Sequence, residues 1–87
     1  MAKRSTPAKK QPPVAELRAR RSALAECIEE IRKQKKLSRQ AVADRLKTKR
    51  LQVWRIENGV TDLGADDVPA WAEALGVTVA AIYRKAA

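Results

Sequence analysis

The stretch "LSRQAVADRLKTKRLQVWRIENG" occupies residues 37–59, and the rest of the chain can be read outward from it. Ser38 is a good N-cap. After it, Ala41, Val42 and Leu46 fall on one side at helical spacing, with the small Ala43 beside them. The spacing predicts a short helix. "KTK" at 47–49 breaks the pattern, and a second helix is expected to run to about Asn58. Gly59 supplies a left-handed C-cap. Two short helices joined by a tight turn are therefore predicted over residues 38–58.

On the N-terminal side, Leu17, Leu24, Ile28 and Ile31 share one helical face. Arg21 interrupts that face, and Ser22 is a possible fresh N-cap. The first helix is thus expected either to start near residue 14, with Pro13 in its opening turn, or to restart near 22. Cys27 flanks the apolar stripe and reads as a small, partly buried thiol. Residues 1–13 are polar, basic and proline-containing, and are expected to form a disordered arm before a domain over 14–87.

On the C-terminal side, "VTDLGA" reads as a loop, with Asp66 or Asp67 capping a helix that tolerates Pro69 in its first turn. Val68, Trp71, Ala72 and Leu75 are its expected buried face, and Gly76 closes it. Thr78 caps a last short helix, "VAAIYR". Strand alternation and internal repeats are absent. The fold class is all-α, with about five short helices.

Composition narrows the function. The 87 residues suit one small domain. A net charge of +9 points to a polyanionic partner. Residues 32–58 hold ten basic and two acidic residues, whereas residues 59–87 hold two basic and four acidic ones, so the contact region is expected in the middle of the chain. No run approaches a membrane span, and residues 1–13, with no hydrophobic run after their charges, are not expected to act as a secretory signal. There is one cysteine and no histidine, which leaves no internal disulfide and no histidine-based catalysis. No nucleophile motif or glycine-rich phosphate loop is present. No enzyme activity, cofactor or metal is expected.

The helix over 50–58 carries the functional signal. Val53 and Ile56 define its core side, which leaves Leu51, Trp54, Arg55 and Asn58 opposite and Arg50 at the edge. Trp54 is thus expected to look outward. A plain solvent face would favour Lys and Glu. Arg, Leu, Trp and Asn instead suit a duplex groove: Arg forks to guanine, and apolar groups meet thymine methyls.

Leu37 to Gly59 resembles the helix-turn-helix of the phage lambda repressor and Cro class, the Xre family. "ADDVPAWAEALGVTVAAIY" is similar to that family's last two helices, so the likeness covers roughly residues 22–84. The resemblance implies a compact lambda-repressor-like domain whose third helix enters the major groove. It implies base-facing positions for Lys49, Arg50, Leu51, Trp54 and Arg55, and phosphate contacts for Arg39 and Asn58. Arg32 and Glu57 fall where relatives form a partly buried ion pair that holds the recognition helix. Lys3, Arg4, Lys9 and Lys10 of the basic arm match, in position, arms that embrace DNA in some relatives. The family's turn usually has Gly where this chain has Lys47, and a larger aliphatic where it has Thr48. Lys47 is therefore an expected phosphate contact in a mildly strained left-handed conformation.

The expected function is sequence-specific binding of double-stranded DNA by a transcription regulator, a repressor of bacterial or phage origin. It would act in the cytoplasm, at the nucleoid, as a homodimer that pairs two recognition helices about one DNA turn apart. Val79, Ile82 and Tyr83 are the expected dimer surface. A competing reading is a protein-interaction module that binds a toxin or the transcription machinery, with Trp54 and Leu51 as interface anchors. A membrane-surface role for the basic helix is opposed by Glu26, Glu29 and Glu30.

Overall fold

The computed structural model describes residues 12–87, which form six α-helices. These are α1 (Val14–Arg20), α2 (Ala23–Gln34), α3 (Arg39–Leu46), α4 (Arg50–Glu57), α5 (Val68–Leu75) and α6 (Val79–Ala86), with a 3₁₀ turn over Ala65–Asp67. Among the described residues there is no strand. The sixth helix arises from a break at Arg21 and Ser22, both in extended backbone. Ser22 Oγ accepts from Ala25 N at 3.2 Å, so the first helix does restart there. Ser38 and Thr78 cap α3 and α6 in the same way, each accepting at 3.0 Å. Neither Asp66 nor Asp67 makes a side-chain cap; the 3₁₀ turn leads into α5 instead.

The core lies where α2, α5 and α6 meet the α3–α4 pair. Ile28, Val42, Val53, Val68, Leu75 and Ile82 are all 1 % exposed or less. Ala43 is fully buried where α3 and α4 cross, because only a small side chain allows that approach. The predicted face of α5 is buried throughout. Cys27 is more enclosed than its sequence position suggested. Its Sγ donates to Ile82 O at 3.4 Å, and burial pushes the thiol's pKa up. Ile82 is wholly in the core, so its expected place on a dimer surface is corrected: one turn of α6 must point inward to cover Cys27 and α2. Val79 is half-buried against the core and Tyr83 is exposed.

Four helices end alike. The amides of Leu37, Thr48, Val60 and Val77 reach back five residues to Arg32, Ala43, Arg55 and Ala72 at 2.9–3.0 Å. Each closure needs a left-handed residue just before it. Those residues are Lys36, Lys47, Gly59 and Gly76, with φ of 59°, 59°, 79° and 75°. Gly59 is also a contact point. A Cβ there would stand 2.7 Å from Leu17 O and 2.8 Å from Arg21 Cβ, so α1 lies directly over the end of α4. A Cβ at Gly76 would meet nothing within 4 Å.

These two glycines predict a graded effect in urea unfolding. Gly76→Ala carries only the left-handed penalty, about 1 kcal/mol. Gly59→Ala adds the clash with α1 and is expected to lose about 2–4 kcal/mol. Equal losses at the two positions would mean that α1 does not rest on Gly59.

Candidate nucleic-acid interface

The end of α4 is held by charge. Glu57 has no exposed surface. Its carboxylate receives Arg32 Nε at 2.6 Å, Arg32 Nη2 at 3.1 Å and Arg39 Nε at 2.9 Å. Arg32 also donates to Leu37 O at 2.9 Å. One acid thus joins the end of α2, the start of α3 and the end of α4. Burial makes such a pair geometrically demanding, and losing one partner typically costs about 3–5 kcal/mol.

A second buried acid, Glu29, lies next to the first. Arg18 binds it at 2.9 and 3.2 Å, Arg21 at 2.8 Å, and Arg39 Nη2 approaches to 3.6 Å. Arg21 also donates to the carbonyl of Glu57. Burial alone would raise the Glu29 carboxyl, but hydrogen bonds and charge from Arg18 and Arg21 outweigh it and hold the group at about 2. Arg18 and Arg21 therefore anchor α1 to α2 and α4. The sequence reading missed this triad. Its signal was Arg21, a charge interrupting an apolar face, which implies a buried partner.

Asn58 belongs to the same cluster, and its expected phosphate role is corrected. It is 3 % exposed. Its Oδ1 accepts from Arg18 at 2.7 Å and its Nδ2 donates to Trp54 O at 2.8 Å. With α1 lying over it, the side chain is a strut inside the protein. Arg39 is half-buried and already serves Glu57, which leaves only part of its guanidinium facing outward.

The outer face of α4 has no such internal duties. Lys49, Arg50, Leu51 and Arg55 are exposed, Leu51 at 53 %. Among the described residues none of these three cations forms an ion pair. Trp54 is half-buried. Arg50, Leu51 and Trp54 line one side of a cleft of about 500 Å³, whose other side is Arg32, Ser38, Arg39 and Gln40. A second depression gathers Lys47, Lys49, Leu51 and Arg55 beneath the turn. Leu51 stands on the ridge between them. The arm residues Lys3, Arg4, Lys9 and Lys10 lie outside the described residues.

Among the described residues, no group of His, Cys, Asp and Glu is placed to hold a metal ion. No described helix is long and apolar enough to cross a membrane.

A family model described as "Helix-turn-helix domain" matches residues 25–87. The chain belongs to this helix-turn-helix family. Within the matched region, α3 and α4 are the two short helices joined by a tight turn that the sequence predicts over residues 38–58. The chain is similar in structure to the clp gene regulator ClgR from C. glutamicum, with a TM-score of 0.70 and 20 % identity over 87 % of this chain and 91 % of that one. No curated protein gives a significant match. The match to the family model begins at Ala25, so α1 and its arginine clasp precede the matched region.

The Glu29 cluster predicts an acid limb in stability. A carboxyl held below its ordinary value stabilises the fold above that value and loses its contribution as pH falls from about 4.5 toward 2. The unfolding free energy of the wild type, read by urea titration at each pH, should fall across that window by an amount on the order of 2–3 kcal/mol. Glu29→Gln should be less stable at neutral pH and much flatter across the same window. Parallel acid limbs in the two proteins would show that Glu29 is not the responsible group.

Proposed function

We propose that this helix-turn-helix protein binds double-stranded DNA sequence-specifically as a transcription regulator. The observation that carries this is the outer face of α4. It holds three cations that form no ion pair among the described residues, around an exposed leucine, while the acids near the end of that helix are neutralised inside the fold. In the proposed complex α4 enters the major groove. Arg50 and Arg55 read guanine edges, Leu51 meets thymine methyls, and Lys49 lies near the groove wall. Trp54 packs its ring edge against the sugar-phosphate wall of the groove. The free side of Arg39 and the Lys47 ammonium take phosphates.

A single helix reads only a few base pairs, so the working unit is proposed to be a homodimer on a two-fold operator. With Ile82 in the core, the dimer contact falls to Tyr83 and the exposed edge of Val79. The proposed role is repression, because a domain bound at a promoter excludes polymerase without further contacts. The similar structure belongs to a protein described as a gene regulator, which agrees with a regulatory role. The exposed Leu51 beside Trp54 also suits an apolar protein partner. Salt separates the two readings: phosphate contacts weaken steeply as salt rises, whereas an apolar interface does not.

Selection from a random duplex pool, followed by anisotropy titrations at two salt concentrations, tests the proposal. Arg50→Ala and Arg55→Ala should each weaken the selected site by about 1–3 kcal/mol and relax the base preference at one position. Binding to DNA that ignores both substitutions would remove α4 as the reading helix. Separately, Tyr83→Asp should shift the protein toward monomer in sedimentation and lower operator affinity, while its melting temperature stays close to wild type. An unchanged oligomeric state would exclude α6 as the dimer contact.

A further inference from the structure

Two of the four left-handed helix ends carry lysine rather than glycine, and these two bracket α3. Gly59 is forced, since any Cβ would strike α1. Gly76 is not crowded, so glycine serves there for its backbone alone. Lys36 and Lys47 adopt the same left-handed backbone at φ 59°, where glycine would be unstrained. A side chain kept in a strained conformation at two equivalent turns points to work done by the side chain. Both lysines are exposed, and among the described residues neither has an ion-pair partner. Arg32, Lys33 and Arg39 reach buried acids, whereas Lys35, like Lys36, is exposed and forms no ion pair among the described residues, and of the two only Lys36 is left-handed.

Position completes the case. Lys36 directly precedes Leu37, Ser38 and Arg39, and the last two line the cleft beside α4. Lys47 lines the second depression together with Lys49, Leu51 and Arg55. Between them lie the eight residues of α3, about 12 Å of helix. In helix-turn-helix complexes the helix before the recognition helix crosses the sugar-phosphate backbone. A lysine at each of its ends is a mobile point charge on a long stem, suited to phosphates rather than to base edges.

We propose that Lys36 and Lys47 are paired phosphate anchors, one at each end of α3, which fix that helix across one strand of the duplex and so set the depth and register of α4. This rests on the DNA-binding reading above and adds Lys36 as a binding residue. The anchors place charge where the backbone geometry would favour glycine, so their removal acts in opposite directions on folding and on binding.

The test uses Lys36→Gly and Lys47→Gly, singly and together, with Lys36→Arg as the charge-keeping control. Thermal unfolding and anisotropy of a labelled duplex across a salt series are the readouts. Each glycine variant should melt about 4–8 °C higher. Each should bind about 3–10-fold more weakly, with the salt slope reduced by about 0.9 per lysine removed. Lys36→Arg should keep the wild-type slope without the rise in melting temperature. If the wild type binds the duplex and the glycine variants bind with the same affinity and slope, the anchors are refuted while DNA binding stands. If the wild type binds no duplex even at low salt, both readings fail.

Discussion

The carboxylate of Glu57 has no exposed surface, and the orientation of α4 depends on it. Apolar packing of Val53 and Ile56 supplies attraction but little direction. The Arg32 guanidinium meets Glu57 through two parallel hydrogen bonds, and such a fork tolerates only a narrow range of angles. Arg39 adds a third bond from a different helix. The C-terminal end of α4 is thereby fixed in rotation as well as in position. Its outer residues Arg50, Leu51 and Arg55 face outward because Glu57 cannot turn away from its partners without leaving a charge unpaired in the interior.

The same cluster sorts the charges of the protein. Glu29 and Glu57 take up the arginines of the interior, at 18, 21, 32 and 39. Among the described residues, Lys47, Lys49, Arg50 and Arg55 form no ion pair, and they project a field into solvent. Ionic strength acts unequally on the two sets. Exposed charges are screened over about 10 Å at moderate salt, whereas enclosed pairs are screened much less. The surface can therefore lose its hold on a polyanion while the internal frame stays intact.

Much of this was legible in the sequence, for identifiable reasons. Val42, Leu46, Val53 and Ile56 repeat at helical spacing, and Ser22, Ser38, Thr78, Gly59 and Gly76 mark helix ends by local chemistry. Such signals span only a few residues. Arg18, Arg21 and Glu29 were missed because their contacts join separate elements, and Arg18 reaches Asn58 across 40 positions. Asn58 was placed outward by the wheel of an isolated helix. It is in fact the C-cap, where the backbone leaves helical geometry, and it lies under α1. Ile82 sits in "VAAIY", where adjacent apolar residues give the periodicity no clear phase. Only the packing of α6 on α2 decides which of them turns inward.

One feature of α1 governs how the molecule comes apart. None of its seven residues is buried, and a helix that short does not persist alone in water. It exists as a helix while Arg18 and Arg21 are docked on Glu29 and the backbone rests on Gly59. Such an element opens without the core opening, as a separate cooperative unit of low free energy. Its amide protons are then the first to exchange with solvent, ahead of those of α2 just beyond the Arg21–Ser22 break. Release of α1 uncovers Asn58 and the last turn of α4, so local melting of the first described helix changes which polar groups the end of α4 presents.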